Sequence, residues 1–415
     1  MSTLNFFVGD VGATVGFEFL SEIAKEHGII PGRINVECDN LIQYHTSFFD
    51  KKSNMPKAIY LDHSNENNGM ESLKSSQIAN LFDNKMIFRD GTSNGLASRG
   101  YYKSEALINN VLEATKKQLE SSDNTPSFQV FFNMTDYSSG LASILLSKLR
   151  EEYPSNILVA QTLLSRQPPQ DKKEENTYNF ITSMANMIEN VDITTLTDIE
   201  SLDKVLGSND IVKRKQYLAR TYADLTSGMR SNGLKTYNFL KLASSLIMFP
   251  RYHFFSLTES INGNIDDLFN PSLSLGKIVI NPSQDSYMNS ANIFRGDWPT
   301  FEVENKLSTH SMNNESRYGK AGFSAYYVNL TGNNGKNSCV SLVNHSSTIT
   351  SLKDDFNNFE YSENMKKRFS EDTGDSSGMA VEEAKNNFTD LLYEYSQYVT
   401  PMVYNAEEKD EEEPY

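Results

Sequence analysis

The chain has 415 residues, a formal net charge of −16 at pH 7 and 38% hydrophobic residues, which is enough for two or three domains with sizeable cores. The acidic balance argues against a general nucleic-acid-binding protein, because contacts with phosphates need a basic surface, and it favours basic partners. No segment approaches the roughly 20 apolar residues that cross a bilayer, and the first residues lack a basic, cleavable leader, so we expect a cytoplasmic protein without a membrane segment.

The first part of the chain alternates between strand and helix patterns. A β-rich segment at residues 4–8 is followed at once by the glycine-bearing sequence GDVGATVG, and apolar residues then recur at helical spacing until Gly28. Further strand-like segments lie at residues 58–61, 86–88, 128–132 and 157–160, with helical patterns at 104–119 and 141–152. This alternation predicts a doubly wound parallel sheet with helices on both faces.

The second part of the chain changes in character. Helical patterns at residues 179–189, 200–206 and 234–248 lead to Pro250 and an aromatic strand, and the pattern then becomes β-rich. The strands predicted in this region lie at residues 291–294, 325–328 and 339–343. A helical region follows at 351–398. The final EEKDEEEPY, residues 407–415, cannot bury apolar surface and predicts a disordered acidic tail.

Glycines directly after the first predicted strand are typical of an anion site. Gly9, Gly12 and Gly16 would let backbone N–H groups at a helix start face a phosphate, although their spacing does not match the dinucleotide pattern. Asp10 in this turn would repel a phosphate unless a metal or water lay between them. The alternative is a glycine turn that only allows close contact between strand and helix. A polar loop at residues 133–140 also precedes a helix, where capping is the simpler use.

Other chemistry is not indicated. The six histidines show no i,i+4 pairing and no carboxylate at ligand spacing, and the two cysteines, Cys38 and Cys339, are far apart in the sequence. The sequence therefore predicts neither a metal site at the histidines nor a disulfide framework. It also contains no nucleophile elbow and no Cys–His arrangement, which argues against a metabolic enzyme.

Several sequence blocks, in the same order along the chain, resemble the tubulin family. SKLREEYP at residues 147–154 is similar to the SKIREEYP of β-type tubulins, FPRYHFF at 249–255 to FPRLHFF, and IFRG at 293–296 to VFRG. GDVGATVG resembles GQCGNQIG, EYSQY at 394–398 resembles EYQQY before the acidic tail, and NHSS at 344–347 stands where the family has GNST. The similarity covers essentially the whole chain.

The resemblance implies an α/β fold with a doubly wound parallel-sheet GTPase domain at residues 1–232 and an α+β intermediate domain at 233–350. It also implies C-terminal helices at 351–404 and a disordered acidic tail at 405–415. Subunits of the family stack head to tail, and a loop of one subunit completes the nucleotide site of the next. The activating acid that α-type chains carry on this loop aligns with Lys241, which is the β-type pattern, so we expect no hydrolysis to be triggered on a partner.

Carried over residue by residue, the resemblance implies a GTP site. The expected nucleotide-binding residues are Gly9, Asp10, Val11, Gly12, Asp62, Ser138, Ser139, Gly140, Tyr178, Asn179 and Tyr222. No catalytic residue is assigned, and hydrolysis of GTP is expected only if this site still binds it.

Departures from the family weaken the expected site. The GGGTGSG loop is replaced by MTDYSSG at residues 134–140, which adds side chains where backbone must approach phosphate, and Asp136 adds a like charge. Ser64 stands where the family has an acid, so firm coordination of Mg²⁺ is not expected. A base-reading Asn corresponds to Ile199, and the segment after the sequence YADL is shorter than in the family. The loop after Phe255, which makes lateral contacts between protofilaments in the family, is also shorter.

The sequence therefore favours a structural subunit of a microtubule or related tubulin polymer, located in the cytoplasm as part of the cytoskeleton. It would pair head to tail with an α-type tubulin, and its GTP site would be present in outline but degraded. Basic microtubule-associated proteins are expected at the acidic tail, whereas neither nucleic acid nor a membrane is an expected partner. The alternative, which the short lateral loop motivates, is a tubulin-like binding or capping protein that does not polymerise.

Overall fold

The computed structural model contains one large sheet flanked by helices. The residues that it describes are 2–30, 33–34, 47–51, 53–120, 125–231, 233–260, 263–276, 287–313, 315–316, 319–330, 337–353, 362–374 and 377–399. The predicted acidic tail and Cys38 lie outside the described residues.

The strands of the described residues lie along most of the chain. They are β1 (Thr3–Val8), β2 (Ile29–Ile30), β3 (Arg33–Ile34), β4 (Ala58–Asp62), β5 (Ile87–Arg89), β6 (Ser127–Asn133), β7 (Leu158–Leu164), β8 (Ile193–Asp198), β9 (Phe254–Ser260), β10 (Tyr287–Arg295), β11 (Glu315–Ser316), β12 (Gly319–Lys320), β13 (Gly322–Val328) and β14 (Ser338–His345).

Helices connect most of these strands. They are α1 (Gly9–Glu26), α2 (Asn68–Ser75), α3 (Ala97–Lys103), α4 (Glu105–Glu120), α5 (Ser138–Glu152), α6 (Lys173–Asn190), α7 (Ile199–Leu206), α8 (Ile211–Leu225), α9 (Phe239–Leu246), α10 (Thr300–Asn313), α11 (Ser347–Thr350), α12 (Glu363–Thr373) and α13 (Met379–Val399). None of these helices, within the part of the chain that the structure describes, is both long and apolar enough to cross a bilayer.

The large sheet has the strand order β13-β10-β14-β9-β8-β7-β6-β1-β4-β5. In the part of the sheet with the order β9-β8-β7-β6-β1-β4-β5, each strand is parallel to its neighbours. β14 is antiparallel to both β9 and β10. β1, β4, β7 and β8 are buried along their whole length, because helices cover both faces of a parallel sheet. The predicted doubly wound parallel sheet is confirmed.

Two apolar cores lie on opposite faces of the sheet. One contains side chains of α4, α5 and α6 together with those of α12 and α13, such as Leu145 and Phe388. The other contains side chains of α1, α8 and α9, such as Phe17 and Leu242. The two C-terminal helices therefore share a core with the helices that follow β5, β6 and β7.

The sheet continues from the first half of the chain into the second. Thr194 and Thr195 in β8 pair with Phe254 and Phe255 in β9, and β9 then pairs with β14. Phe254 and Phe255 are fully buried in opposite cores, as alternate residues of a strand must be. One sheet thus contains strands from both sides of the expected domain boundary after residue 232. The sheet does not mark this boundary, which stays a prediction.

Three predicted elements differ in extent. The sequence expected to form a turn before the first helix instead forms the first turns of α1, which begins at Gly9. The helix predicted at 234–248 is shorter, because the Asn238 side chain accepts a hydrogen bond from the backbone N–H of Lys241 (2.8 Å) and starts α9 there. The helical region predicted at 351–398 is divided, because α12 ends at Thr373 and Gly374 follows it with a φ of 74°.

A buried ion network holds the two halves of the structure together. Arg295 in β10 is fully buried and pairs with Asp224 in α8 and with Glu26 at the end of α1. The buried Arg230 also pairs with Glu26. Burial alone would raise the pKa of Glu26, but the two guanidinium groups outweigh it and hold that pKa below its usual value. Each buried charge is therefore compensated by an opposite charge.

Replacing Arg295 tests this network. We expect Arg295→Met to lower the free energy of unfolding by about 3 kcal/mol or more, because it leaves the buried Asp224 carboxylate without its cation. The matched control is Arg214→Met, which removes a bidentate ion pair with Asp203. The side chains of Arg214 and Asp203 are 25% and 26% exposed, so this change should lower the free energy of unfolding by about 1 kcal/mol or less. Thermal or urea unfolding measures both variants, and equal losses would contradict the network's role.

Candidate functional site

The predicted nucleotide residues converge where the parallel strands end. α1 follows β1 directly and α5 follows β6, so both helix starts lie at the carboxyl edge of the sheet, where ligands usually bind in such folds. A Cβ atom at Gly9 would lie 2.4 Å from Cβ of Ser138, and the φ of 69° at Gly9 also favours glycine. The first residues of α1 and α5 are therefore in direct contact.

Asp10 caps a neighbouring helix. Its Oδ1 accepts a hydrogen bond from the backbone N–H of Gly69 (2.8 Å), and its Oδ2 accepts one from Nδ2 of Asn68 (3.1 Å). These donors lie at the start of α2, where a negative charge is favourable. Val11, the next predicted site residue, is half-buried and packs against the core on the α1 face of the sheet.

Gly12 and Gly16 are required by close contact between α1 and the sheet. A Cβ atom at Gly12 would lie 2.1 Å from the carbonyl oxygen of Phe131, and one at Gly16 would lie 2.1 Å from the ring of Phe7. A β6 backbone carbonyl and a ring in the core cannot move aside without disturbing the sheet. The second interpretation of these glycines, close contact between strand and helix, accounts for both without a ligand.

Asp62 ends β4 inside the protein. Its Oδ1 accepts a hydrogen bond from the backbone N–H of Ser64 (3.0 Å), its Oδ2 accepts one from the Tyr60 hydroxyl (3.2 Å), and Nε of Arg89 lies 3.9 Å from Oδ2. Burial raises the pKa of Asp62 to about 6. Both oxygens of this carboxylate are therefore engaged within the chain.

The described residues offer no ready-made set of protein ligands for Mg²⁺. Ser64, which stands at the position of the family's acid, uses its Oγ to accept a hydrogen bond from the backbone N–H of Glu66 (3.0 Å). In the part of the chain that the structure describes, no group of three or more His, Cys, Asp or Glu side chains is arranged to hold a metal. The nearby carboxylates of Asp10 and Asp62 are already bonded to protein donors.

Asp136 occupies the start of α5. Its Oδ1 accepts hydrogen bonds from the backbone N–H of Ser138 (2.8 Å) and from the Ser138 hydroxyl (2.5 Å). Burial raises the pKa of Asp136 to about 7, and the charges of Asp62 and Asp10 add to the effect. An internal carboxylate therefore takes the place at the helix N-terminus that an anionic ligand could otherwise take.

Ser139 and Gly140 lie within the first turn of α5. Ser139 is buried, and no partner atom is present for its Oγ among the described residues. A Cβ atom at Gly140 would lie 1.8 Å from the carbonyl oxygen of Ala97. The glycine is therefore required by the contact between α3 and α5.

Tyr178 and Asn179 are buried on α6, behind the loop that precedes α5. Oδ1 of Asn179 accepts a hydrogen bond from the backbone N–H of Ala97 (2.8 Å), and its Nδ2 donates to the carbonyl oxygen of Thr135 (3.4 Å). The Tyr178 ring lies 6.2 Å from the ring of Phe369 in α12. Both residues thus connect structural elements, and each is only 1% exposed.

Tyr222 is not part of this cluster. It lies near the end of α8, is fully buried, and packs edge to face against Phe131 with a ring separation of 5.5 Å. Its hydroxyl lies 3.4 Å from Oγ1 of Thr197. In this conformation Tyr222 presents no exposed surface to a ligand, so its family match corresponds to a core position.

Sequence reasoning missed Arg89, which shapes the loop after β4. Its Nη1 donates to Oδ1 of Asn67 (2.9 Å), and its Nη2 donates to the carbonyl oxygen of Ser64 (3.0 Å). Arg89 ends β5 in register with Asp62. The available signal was an arginine directly after the predicted strand at 86–88 and an Asp directly after the predicted strand at 58–61.

The candidate site gathers three carboxylates. The charge of Asp10 adds to raising the pKa of Asp62, the charges of Asp62 and Asp10 add to raising that of Asp136, and Nε of Arg89 lies 3.9 Å from Oδ2 of Asp62. The phosphates of GTP carry several negative charges, and like charges at short range are unfavourable.

Comparisons with known proteins give consistent matches. A family model described as the Tubulin/FtsZ family, GTPase domain, matches residues 2–207. The chain is 28% identical to the tubulin beta-6 chain of Gossypium hirsutum, with 98% of this chain and 96% of that relative covered. It is 26% identical to the tubulin beta-1 chain of Geotrichum candidum and 28% identical to the tubulin beta chain of Cicer arietinum, each with the same coverage.

The buried carboxylate of Asp136 should make stability depend on pH. Its pKa of about 7 in the folded chain exceeds the value of about 4 for an unfolded Asp, so the folded state binds the proton more tightly and loses stability as pH rises through this window. Asp136→Asn keeps an acceptor oxygen without the charge. We expect it to increase the free energy of unfolding by about 2 kcal/mol at pH 8 and to have little effect near pH 4.

Unfolding experiments at the two pH values check this expectation. Asp390→Asn, at an exposed position of α13, is the matched control and should change stability little at either pH. An Asp136→Asn effect of the same size at pH 4 and pH 8 would show that the charge is not the cause.

Proposed function

The chain is a divergent member of the tubulin family, and on that premise we propose that it is a structural subunit of a cytoskeletal polymer that pairs head to tail with an α-type tubulin. The likeness to β-type chains over nearly the whole length supports this proposal more than any local motif does. The expected location is the cytoplasmic cytoskeleton, and basic partners are expected at the acidic tail.

The segment that would meet the next subunit supports the longitudinal contact. Leu234 and Leu240, before and within α9, are 78% and 59% exposed, and Phe249 after α9 is 41% exposed. Large apolar side chains grouped on one exposed segment are typical of protein contact surfaces. This is the segment that carries the family's intersubunit loop.

Lys241 lies on the same segment in place of an activating acid. Its Nζ donates a hydrogen bond to the carbonyl oxygen of Thr236 (2.9 Å) and lies 5.8 Å from the centre of the Tyr326 ring. A lysine held in this way supplies no carboxylate to position an attacking water. The chain is therefore proposed not to trigger hydrolysis of a nucleotide bound by its partner.

The chain's own nucleotide site is proposed to bind GTP weakly or not at all. The observation that carries this proposal is Asp136, whose carboxylate accepts the Ser138 hydrogen bonds that a phosphate would need. The three carboxylates of the site and the absence of a suitable set of Mg²⁺ ligands among the described residues support it. Enzymatic GTP hydrolysis by this chain is accordingly not part of the proposal.

Nucleotide content tests the state of the site. The purified chain should contain substoichiometric guanine nucleotide, and Mg²⁺ should not strengthen its binding of GTP. Asp136→Gly removes the internal carboxylate, and we expect it to bind GTP at least about tenfold more tightly. Asp390→Gly is the matched control. Tight, stoichiometric and Mg²⁺-dependent GTP in the unmodified chain would refute the degraded site.

Assembly with tubulin tests the structural role. The chain should copurify with α-type tubulin and sediment with its polymers. Leu240→Glu should weaken this association about tenfold or more, because it places a charge in the centre of the proposed contact. Met379→Glu is the matched control, since Met379 is 72% exposed on α13 and lies outside that contact.

Copurification with tubulin and sedimentation with polymer, measured separately, distinguish a polymer subunit from a capping protein. Binding to α-type tubulin without incorporation into polymer would favour a capping protein over a polymer subunit. No association with tubulin in either form would overturn both.

A further inference from the structure

A cleft of about 280 Å³ lies between α3, α5 and α6 on one side and α12 and α13 on the other. Gly140 and Tyr178 line it, but Gly9, Asp10, Asp62 and Ser138 do not. The cleft therefore lies beside the expected nucleotide site and shares only Gly140 and Tyr178 with its residues. Its volume is near the lower end of the range for sites of small organic molecules.

Small side chains at facing helix positions leave this space open. They are Ala97 in α3, Gly140 in α5, Ala185 in α6, and Ala380 and Ala384 in α13. Position 140 cannot carry a larger residue, because even a Cβ atom there would lie 1.8 Å from the carbonyl oxygen of Ala97. The core therefore cannot fill the cleft from this side.

Aromatic rings form one wall of the cleft. The rings of Tyr101 and Tyr102 are 4.9 Å apart, and that of Tyr102 lies 6.2 Å from the ring of Phe369. Tyr102 is 45% exposed although it is a large aromatic residue. Ring faces of this kind attract cations as well as apolar groups.

Carboxylates stand at the rim of the same cleft. Glu189 and Glu383 both line it and are exposed, and Nδ2 of Asn387 donates a hydrogen bond to Oε1 of Glu189 (3.2 Å). Arg99 pairs with Asp372, and Arg251 pairs with Glu394 while also donating hydrogen bonds to the carbonyl oxygen and Oδ1 of Asn387 at the rim. The rim therefore offers two exposed carboxylates whose charge is partly offset by one arginine that is already paired.

Two buried polar atoms belong to residues of the lining. Oγ of Ser143 and Oδ1 of Asn186 have no hydrogen-bond partner among the described residues. Buried polar atoms without a partner are uncommon and indicate a missing ligand or water. Both atoms are buried, so they belong to the packing of the lining residues and are not counted among the groups that face a ligand.

We propose that this cleft binds a small organic cation that carries a protonated amine on an apolar ring. The amine would lie between the ring faces and the carboxylates of Glu189 and Glu383, and the apolar part would fill the space beside the alanines. This site does not depend on the nucleotide or on polymerisation. The net charge of −16 would further concentrate cations near the chain.

Titration of the full chain with 2-phenylethylammonium tests the proposal. Ligand-observed NMR should show contact with the ring protons of the probe, and neutral 2-phenylethanol should bind at least about fivefold more weakly. Glu189→Gln combined with Glu383→Gln should weaken binding of the ammonium probe by about fivefold and leave binding of the alcohol unchanged. Excess GTP should displace neither probe.

A second variant and a matched control make the outcome decisive. Ala384→Leu fills the cleft and should reduce binding of both probes. Glu113→Gln combined with Glu120→Gln removes two exposed carboxylates from α4, outside the cleft, and should have no effect. Equal binding of the amine and the alcohol, no loss with the Glu189 and Glu383 variant, or binding of a tri-arginine peptide in place of the amine would overturn the proposal.

Discussion

Backbone N–H groups at the starts of α2 and α5 meet at one edge of the parallel sheet, and each needs an acceptor because a buried donor left unpaired is costly. An anionic ligand can supply that acceptor in folds of this kind. In this chain Asp10 supplies it at α2, and Asp136 supplies it at α5. These two donors are paired within the chain, so neither needs a ligand as its acceptor.

The scaffold draws its stability from parts that do not involve this edge. Arg295 connects β10 to α8 and to the end of α1, and it lies in IFRG, one of the sequence blocks that resemble the tubulin family. Phe254 and Phe255 lie in another such block and insert into the two opposite cores. Neither contact involves the residues expected to bind a nucleotide.

The strands and most helices could be predicted because burial on both faces and helical spacing leave clear patterns, as at residues 128–132 and 141–152. The sequence could predict where the candidate nucleotide site lies, but it could not predict which partners its residues have. Asp10 and its partner Gly69 are 59 residues apart, so the sequence showed a charge that would repel phosphate without showing what the charge binds. Gly12 and Tyr222 match the family, but close contact with β6 and core burial account for them here.

The most direct test of this account is a crystal structure of the purified chain grown with excess GTP and Mg²⁺. The account predicts that Asp136 remains hydrogen-bonded to Ser138 at the start of α5 and that no phosphate density lies there. Phosphate density in contact with the backbone N–H groups of α5, with the Asp136 side chain turned away, would contradict it.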